Sequence, residues 1–166
     1  NAYIKLVCPL FELKEVLKNT KNIKNIIDVG SNKGQFSLLS RIYYPLCKIY
    51  SFEPQIDYLN IQRSILKKDI VFYNFCLGDK NYSQKLNITE KEDSSSLLTP
   101  KIFKNGIYKV KERVKVDIKT LDNVLINKKL NNSLMKIDVQ GFEYEVLLGA
   151  VKSLKKIKYL ILEISS

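Results

Sequence analysis

Histidine is absent from all 166 residues. Within this chain that excludes histidine general bases, Ser-His-Asp triads and histidine-ligated zinc. Acid–base chemistry falls to Asp, Glu, Lys or Tyr. Cysteine is scarce. Cys8, Cys47 and Cys76 are far apart, odd in number and include no Cys-x-x-Cys pair. That argues against a disulfide framework and for a reducing, cytoplasmic compartment. No metal site is expected. No apolar run reaches the roughly 18–20 residues that span a bilayer. The opening stretch NAYIKLVCPLFELKEVL lacks a signal peptide's order of charge, apolar block and small-residue cleavage site. The chain starts at Asn1 rather than Met, as a fragment or a processed chain would.

What is present suits one domain with a real core: residues 1–166, with a helical segment over 1–23 and a core over 24–166. Hydrophobic residues make up 45% and charged residues 27%, so disorder is not the default. The net charge of +11 comes almost entirely from lysine, with arginine only at Arg41, Arg63 and Arg113. An anionic glycan or nucleic acid would be attracted. The lysines scatter, however, and specific nucleic-acid readers favour arginine. A compositional bias is the preferred account, and nucleic acid is not favoured as a partner.

Apolar spacing predicts an amphipathic helix over 9–19, with Leu10, Leu13, Val16 and Leu17 on its inner face. Strands follow at 25–29, 48–52 and 70–75, separated by helices at 35–44, stopped by Pro45, and 56–66, where Ile56, Leu59, Ile61 and Ile65 read as buried. A β-rich insertion occupies 80–120. It holds a short strand at 85–88, a loop around 93–96 and Gly106, and an alternating stretch over 108–118. There Tyr108, Val110, Val114, Val116 and Ile118 face in, while Lys109, Lys111, Arg113, Lys115 and Lys119 face out. Lysines on that outer face protect an edge strand. The alternation of strand and helix then resumes, with a strand at 134–139, a helix at 141–154 and a strand at 158–164. The expected fold is α/β: a doubly wound, mainly parallel sheet with an antiparallel insertion between its third and fourth core strands.

The stretch 26–36, IIDVGSNKGQF, joins a strand to a helix through Gly30 and Gly34. Glycine is needed where backbone must approach a ligand closely or take φ > 0, and a helix N-terminus behind such a turn makes a nucleotide crevice. The spacing G-x-x-x-G is neither the dinucleotide fingerprint nor the phosphate loop. Asp28, two residues ahead of Gly30, suits an ammonium and repels a pyrophosphate, which favours S-adenosylmethionine over NAD. In a doubly wound sheet the ligand sits beyond the C-terminal strand ends. The polar residues collected there are Asp28 to Gly34, Glu53, Cys76 to Asp79, Asp138 to Gly141 and Glu163. Glu53 follows Asp28 by 25 positions, the spacing of an acid that bonds ribose hydroxyls.

The segments IIDVGSNKGQFSLL, IYSFEP, FCLGD, DSSSLL, VKVDIKTLDNVL and LMKIDVQGFEYEVLLGA, in this order, closely resemble the FkbM-type S-adenosylmethionine-dependent methyltransferases. The resemblance runs from about residue 26 to the chain end. It implies a Rossmann-like class I methyltransferase fold and O-methylation of a hydroxyl on a sugar, glycan or natural product. It assigns Asp28, Gly30, Ser31, Asn32, Gly34 and Phe36 to the cofactor loop, Glu53 to the ribose, and Cys76, Leu77 and Asp79 to the adenine end. Asp138 matches the acid facing the transferred methyl, and reads equally as its base or as a scaffold residue. Lys136, two positions earlier on the same strand, points to the same face. At Gln140 the family usually carries glutamate; glutamine orients a hydroxyl but cannot take its proton. The Ser94-Ser95-Ser96 run matches a serine pair common in the family. Class I enzymes generally continue past the fifth strand with a helix and an antiparallel pair, so part of the substrate wall is expected to be missing. Two other readings stay open: a non-catalytic methyltransferase-like module, and a nicotinamide-dependent oxidoreductase.

Overall fold

The computed structural model describes residues 11–66, 68–90, 95–98 and 109–163. Five strands form a parallel sheet in the order β3-β2-β1-β7-β8: β1 Asn25–Val29, β2 Lys48–Phe52, β3 Ile70–Tyr73, β7 Ser133–Ile137 and β8 Ile157–Leu162. Every residue of β1 and β7 is buried, as helices on both faces of a parallel sheet require. On one face, α1 Lys14–Asn19 and α2 Gln35–Tyr43 cover Ile26, Ile49 and Leu134. On the other, α4 Leu121–Val124, α5 Glu143–Leu148 and α6 Val151–Leu154 cover Ile27, Met135 and Ile137. The remaining helix is α3 Ile56–Ile65. β1 leads through α2 to β2 on one side, while β7 leads through α5 and α6 to β8 on the other. The strand order therefore reverses between β1 and β7, which opens a crevice at their C-terminal ends.

The insertion is a mixed sheet, not an antiparallel one. β6 Val110–Lys119 is its centre, antiparallel to β5 Tyr82–Thr89 and parallel to the two-residue β4 Cys76–Leu77. The expected strand 70–75 ends at Tyr73, and β4, which begins at Cys76 beyond it, belongs to the second sheet. β5 is twice the length expected. On β6 the alternation holds where it meets the core, at Val116 and Ile118, and fails at Val114, which is 36% exposed. Tyr108 lies outside the described residues. Among the described residues, β4 pairs with β6 at Ile118 and Lys119 alone.

Other boundaries shift for local reasons. A single turn of 3-10 helix, Phe11–Leu13, precedes α1, and Val16 is 41% exposed while Leu17 is buried; Leu10 is outside the described residues. On α3, Ile56 is 49% exposed and the polar Gln62 takes an inner position. The helix expected over 141–154 divides at Gly149. A Cβ there would stand 1.9 Å from the Gly78 carbonyl oxygen, so the chain hugs the insertion and bends. Asp122 then caps α6, accepting the backbone N–H groups of Lys152 and Ser153 at 2.9 and 2.7 Å. β7 stops at Ile137 and β8 at Leu162, earlier than expected; Ile164 lies outside the described residues.

Candidate functional site

The turn after β1 is built on left-handed backbone. Gly30, Asn32 and Gly34 have φ of 73°, 50° and 89°. The backbone N–H groups of Gly30 and Ser31 both donate to the Phe52 carbonyl at 3.1 Å, which ties the turn to the end of β2. A Cβ on Gly30 would lie 1.8 Å from the Asp138 carbonyl oxygen. The turn thus presses against the exit of β7, and only glycine fits. Beneath it, Gln62 Nε2 donates to Ser31 Oγ and to the Asn32 carbonyl at 2.8 and 2.6 Å, while Ser51 Oγ donates to Gln62 Oε1 at 2.6 Å. This explains the buried glutamine: each polar atom in the layer has a partner.

Glu53, at the tip of β2, is buried. Its two oxygens accept backbone N–H bonds from Gln55 at 2.9 Å and Asn32 at 2.8 Å. Burial pushes its pKa up to about 7 against the pull of those two donors, and the charge of Asp28 adds to the rise.

On the β7 side, Lys136 is the centre of a charged cluster. Its Nζ lies 2.9 Å from Asp138 Oδ2 and 3.5 Å from Glu163 Oε2, and in the sheet it stands beside Asp28. Burial alone would pull its pKa down; Asp28 and Asp138 outweigh that and hold it above the usual lysine value. Burial also raises Asp28, opposed by Lys136 and by the Ser37 hydroxyl, which donates to Asp28 Oδ2 at 2.6 Å. Burial and the charge of Asp138 raise Glu163, with Lys136 opposing. Gln140 Nε2 donates to Asp138 Oδ1 at 2.8 Å. Gln140 itself sits at φ 53° on a turn whose Val139 and Gly141 N–H groups both donate to Glu143 Oε1.

Between these sides lies a cleft, partly open to solvent. Gly30, Asn32, Glu53, Cys76, Leu77, Asp138 and Gln140 line it. The other expected site residues do not. Asp28 is fully buried and turned toward Ser37. Ser31 is held in the Gln62 layer, and Gly34 packs on Gln62 and Leu66. Phe36 belongs to the core under α2, beside Leu39 and Ile49, because the helix turns it into the sheet. Lys136 is buried and paired with Asp138, and Asp79 is not among the cleft-lining residues. Burial pushes the Cys76 thiol up to about 12, so it stays protonated. Sequence reasoning missed the apolar lining: Phe52, Phe75, Leu86, Leu97 and Phe142. Phe52 stacks on Tyr73 at 4.6 Å and meets Phe75 edge-on at 5.9 Å. The aromatic run around 72–75 was the signal available for Phe75. Of the serine run, Ser95 and Ser96 line the cleft; Ser94 is outside the described residues.

Fold and cleft together define a doubly wound, Rossmann-like α/β protein whose binding crevice sits at the switch point of its sheet. The model of the methyltransferase FkbM domain matches residues 28–166. The chain belongs to the FkbM methyltransferase family. No curated protein and no solved structure matches it. Among the described residues, no helix is long and apolar enough to cross a membrane.

Proposed function

We propose that this chain is an S-adenosylmethionine-dependent methyltransferase that methylates a hydroxyl of a sugar, glycan or natural-product acceptor, acting as one domain over 24–166 in the cytoplasm. The observation that carries the reading is the pairing, in one cleft, of Glu53 on the β2 side with Asp138 on the β7 side, the Gly30 turn lying between them. The residues suit that cofactor. Glu53 is a carboxylate that accepts the backbone N–H groups of Asn32 and Gln55, one on each oxygen, and its remaining acceptor capacity suits ribose hydroxyls. Phe75 and Leu77 offer apolar surface to a purine. Asp138, two strands away from Glu53, suits a cationic centre. Cys47 and Cys76 are free thiols, as a reducing compartment favours.

When bound, S-adenosylmethionine supplies a methyl group activated on a sulfonium. The task left to the protein is alignment of the acceptor oxygen and removal of its proton. Asp138 is the base of this proposal. Lys136 and Gln140 each donate to one of its oxygens, which fixes the carboxylate while leaving a lone pair on each oxygen for the acceptor hydroxyl. Calorimetric titration with S-adenosylmethionine and, separately, NAD tests the cofactor. Methyl transfer from labelled cofactor to a panel of hydroxylated glycans tests the reaction. Binding of NAD in place of S-adenosylmethionine would overturn the proposal.

A further inference from the structure

The hydroxyl of Ser95 is shielded from solvent and has no hydrogen-bond partner among the described residues, although Ser95 lies on the cleft wall. A buried hydroxyl left unbonded is costly, and each such atom in a folded chain calls for an explanation. Loose placement is not the explanation, because residues 95–98 are fastened on several sides. Asn87 and Ser96 exchange backbone hydrogen bonds at 2.9 and 3.1 Å. Asn87 Nδ2 donates to the Leu98 carbonyl at 2.9 Å, and Gln84 Nε2 to the Leu97 carbonyl at 2.8 Å. Leu97 is buried with Leu86 and Phe142. The neighbouring hydroxyl, Ser96 Oγ, donates to the Gln140 carbonyl at 2.7 Å. Of two adjacent serines in the cleft wall, one fastens the segment to the turn after β7 and the other keeps a buried, unengaged hydroxyl.

We infer that Ser95 Oγ donates a hydrogen bond to the carboxylate at the methionyl end of S-adenosylmethionine. The inference rests on the cofactor reading above. The ligand has two polar poles, ribose hydroxyls at one and an amino-acid group at the other. Glu53 repels a carboxylate and suits hydroxyls, which assigns the ribose to the β2 side. The turn after β7, to which Ser96 is tied, lies two strand spacings away, roughly 10 Å. On that side Asp138 suits the ammonium and the sulfonium, and the carboxylate needs a donor. Lys136 is buried behind Asp138 and paired with it, and one Gln140 Nε2 hydrogen is already engaged on Asp138. Of the serine hydroxyls in the cleft wall, that of Ser95 has no acceptor among the described residues.

The test uses the full chain and two stable probes, S-adenosylhomocysteine and 5′-methylthioadenosine; the second keeps the adenosyl end but has no carboxylate. Calorimetry on Ser95→Ala is expected to show affinity for S-adenosylhomocysteine weakened at least about tenfold, the effect of removing a donor from a charged acceptor. Affinity for 5′-methylthioadenosine should stay within about twofold, the same tolerance as for Ser95→Thr, which restores the hydroxyl. The urea midpoint of ligand-free Ser95→Ala should equal or exceed that of the wild type, since an unsatisfied polar atom is removed. Unchanged affinity for S-adenosylhomocysteine overturns the inference, as does equal weakening of both probes or a lowered midpoint. A wild-type chain that binds no S-adenosylhomocysteine overturns the cofactor reading itself, and this inference with it.

Discussion

Glu53→Gln isolates the energetic consequence of placing a carboxyl at the tip of β2. The ordinary glutamate pKa is 4.5, and in the fold burial raises it to about 7. A shift of this size corresponds to about 3 kcal/mol. The native state holds the proton more tightly than the unfolded chain does. The stability this confers is complete below pH 4.5 and disappears as pH rises through 7. Above that, the carboxylate is ionised in both states and the fold carries its desolvation. Glutamine does not titrate. The stability of the wild type relative to Glu53→Gln is therefore expected to fall by about 3 kcal/mol between pH 4 and pH 8. Urea unfolding at a series of pH values gives this difference, in which the other carboxyl groups cancel. The absolute offset is less informative, because the new amide must face one of the backbone N–H groups of Asn32 and Gln55, a roughly constant cost of about 1–3 kcal/mol. A difference flat with pH to within about 0.5 kcal/mol, or one that rises with pH, refutes the reasoning.

Three further outcomes follow from the same geometry. Asp138→Asn should lower kcat by about 10²–10⁴-fold, the usual contribution of a positioned base, well beyond any loss of calorimetric affinity for S-adenosylhomocysteine, whose ammonium also faces this acid; retained turnover removes Asp138 from that role. Lys136→Met leaves Asp28 and Asp138 without their shared cation and should cost about 3–5 kcal/mol in urea unfolding at pH 7, with part recovered in the double variant Lys136→Met, Asp28→Asn. Gly30→Ala forces a methyl against the Asp138 carbonyl at a backbone angle that L residues rarely adopt. It should destabilise the chain by at least about 1–3 kcal/mol and abolish cofactor binding, and an unaltered urea midpoint would contradict the close approach of the turn to β7.

The five core strands, the two glycines and Glu53 were legible because each depends on information local in the chain. A continuous apolar run such as IIDV has few alternatives to a buried parallel strand. Gly30 and Gly34 announce a turn that other residues cannot make. The misreadings have equally local causes. Periodicity marked Val16 and Ile56 as inward, yet both stay partly exposed, at 41% and 49%. Phe36 lies two residues beyond the Gly30–Gly34 turn in sequence, but the first turn of α2 rotates it into the core under the sheet. Gly149 read as a helix residue, and it is a contact point with Gly78.

The chain alone therefore specified the doubly wound topology, the crevice and the two acids that flank it, since strand order and strand-end position follow from hydrophobic pattern and right-handed connection. Tertiary packing decided which polar groups face the crevice and which lie behind it. Asp28 and Asp138 are both acids at strand ends. Asp28 is sealed against Ser37 because β1 lies at the centre of the sheet, while Asp138, one residue past its strand, reaches the cleft. Ser95 gained its place because Asn87, in β5, and Gln140, after β7, are brought together by folds of chain far apart in sequence. Such meetings depend on the whole core, and no local pattern of residues encodes them.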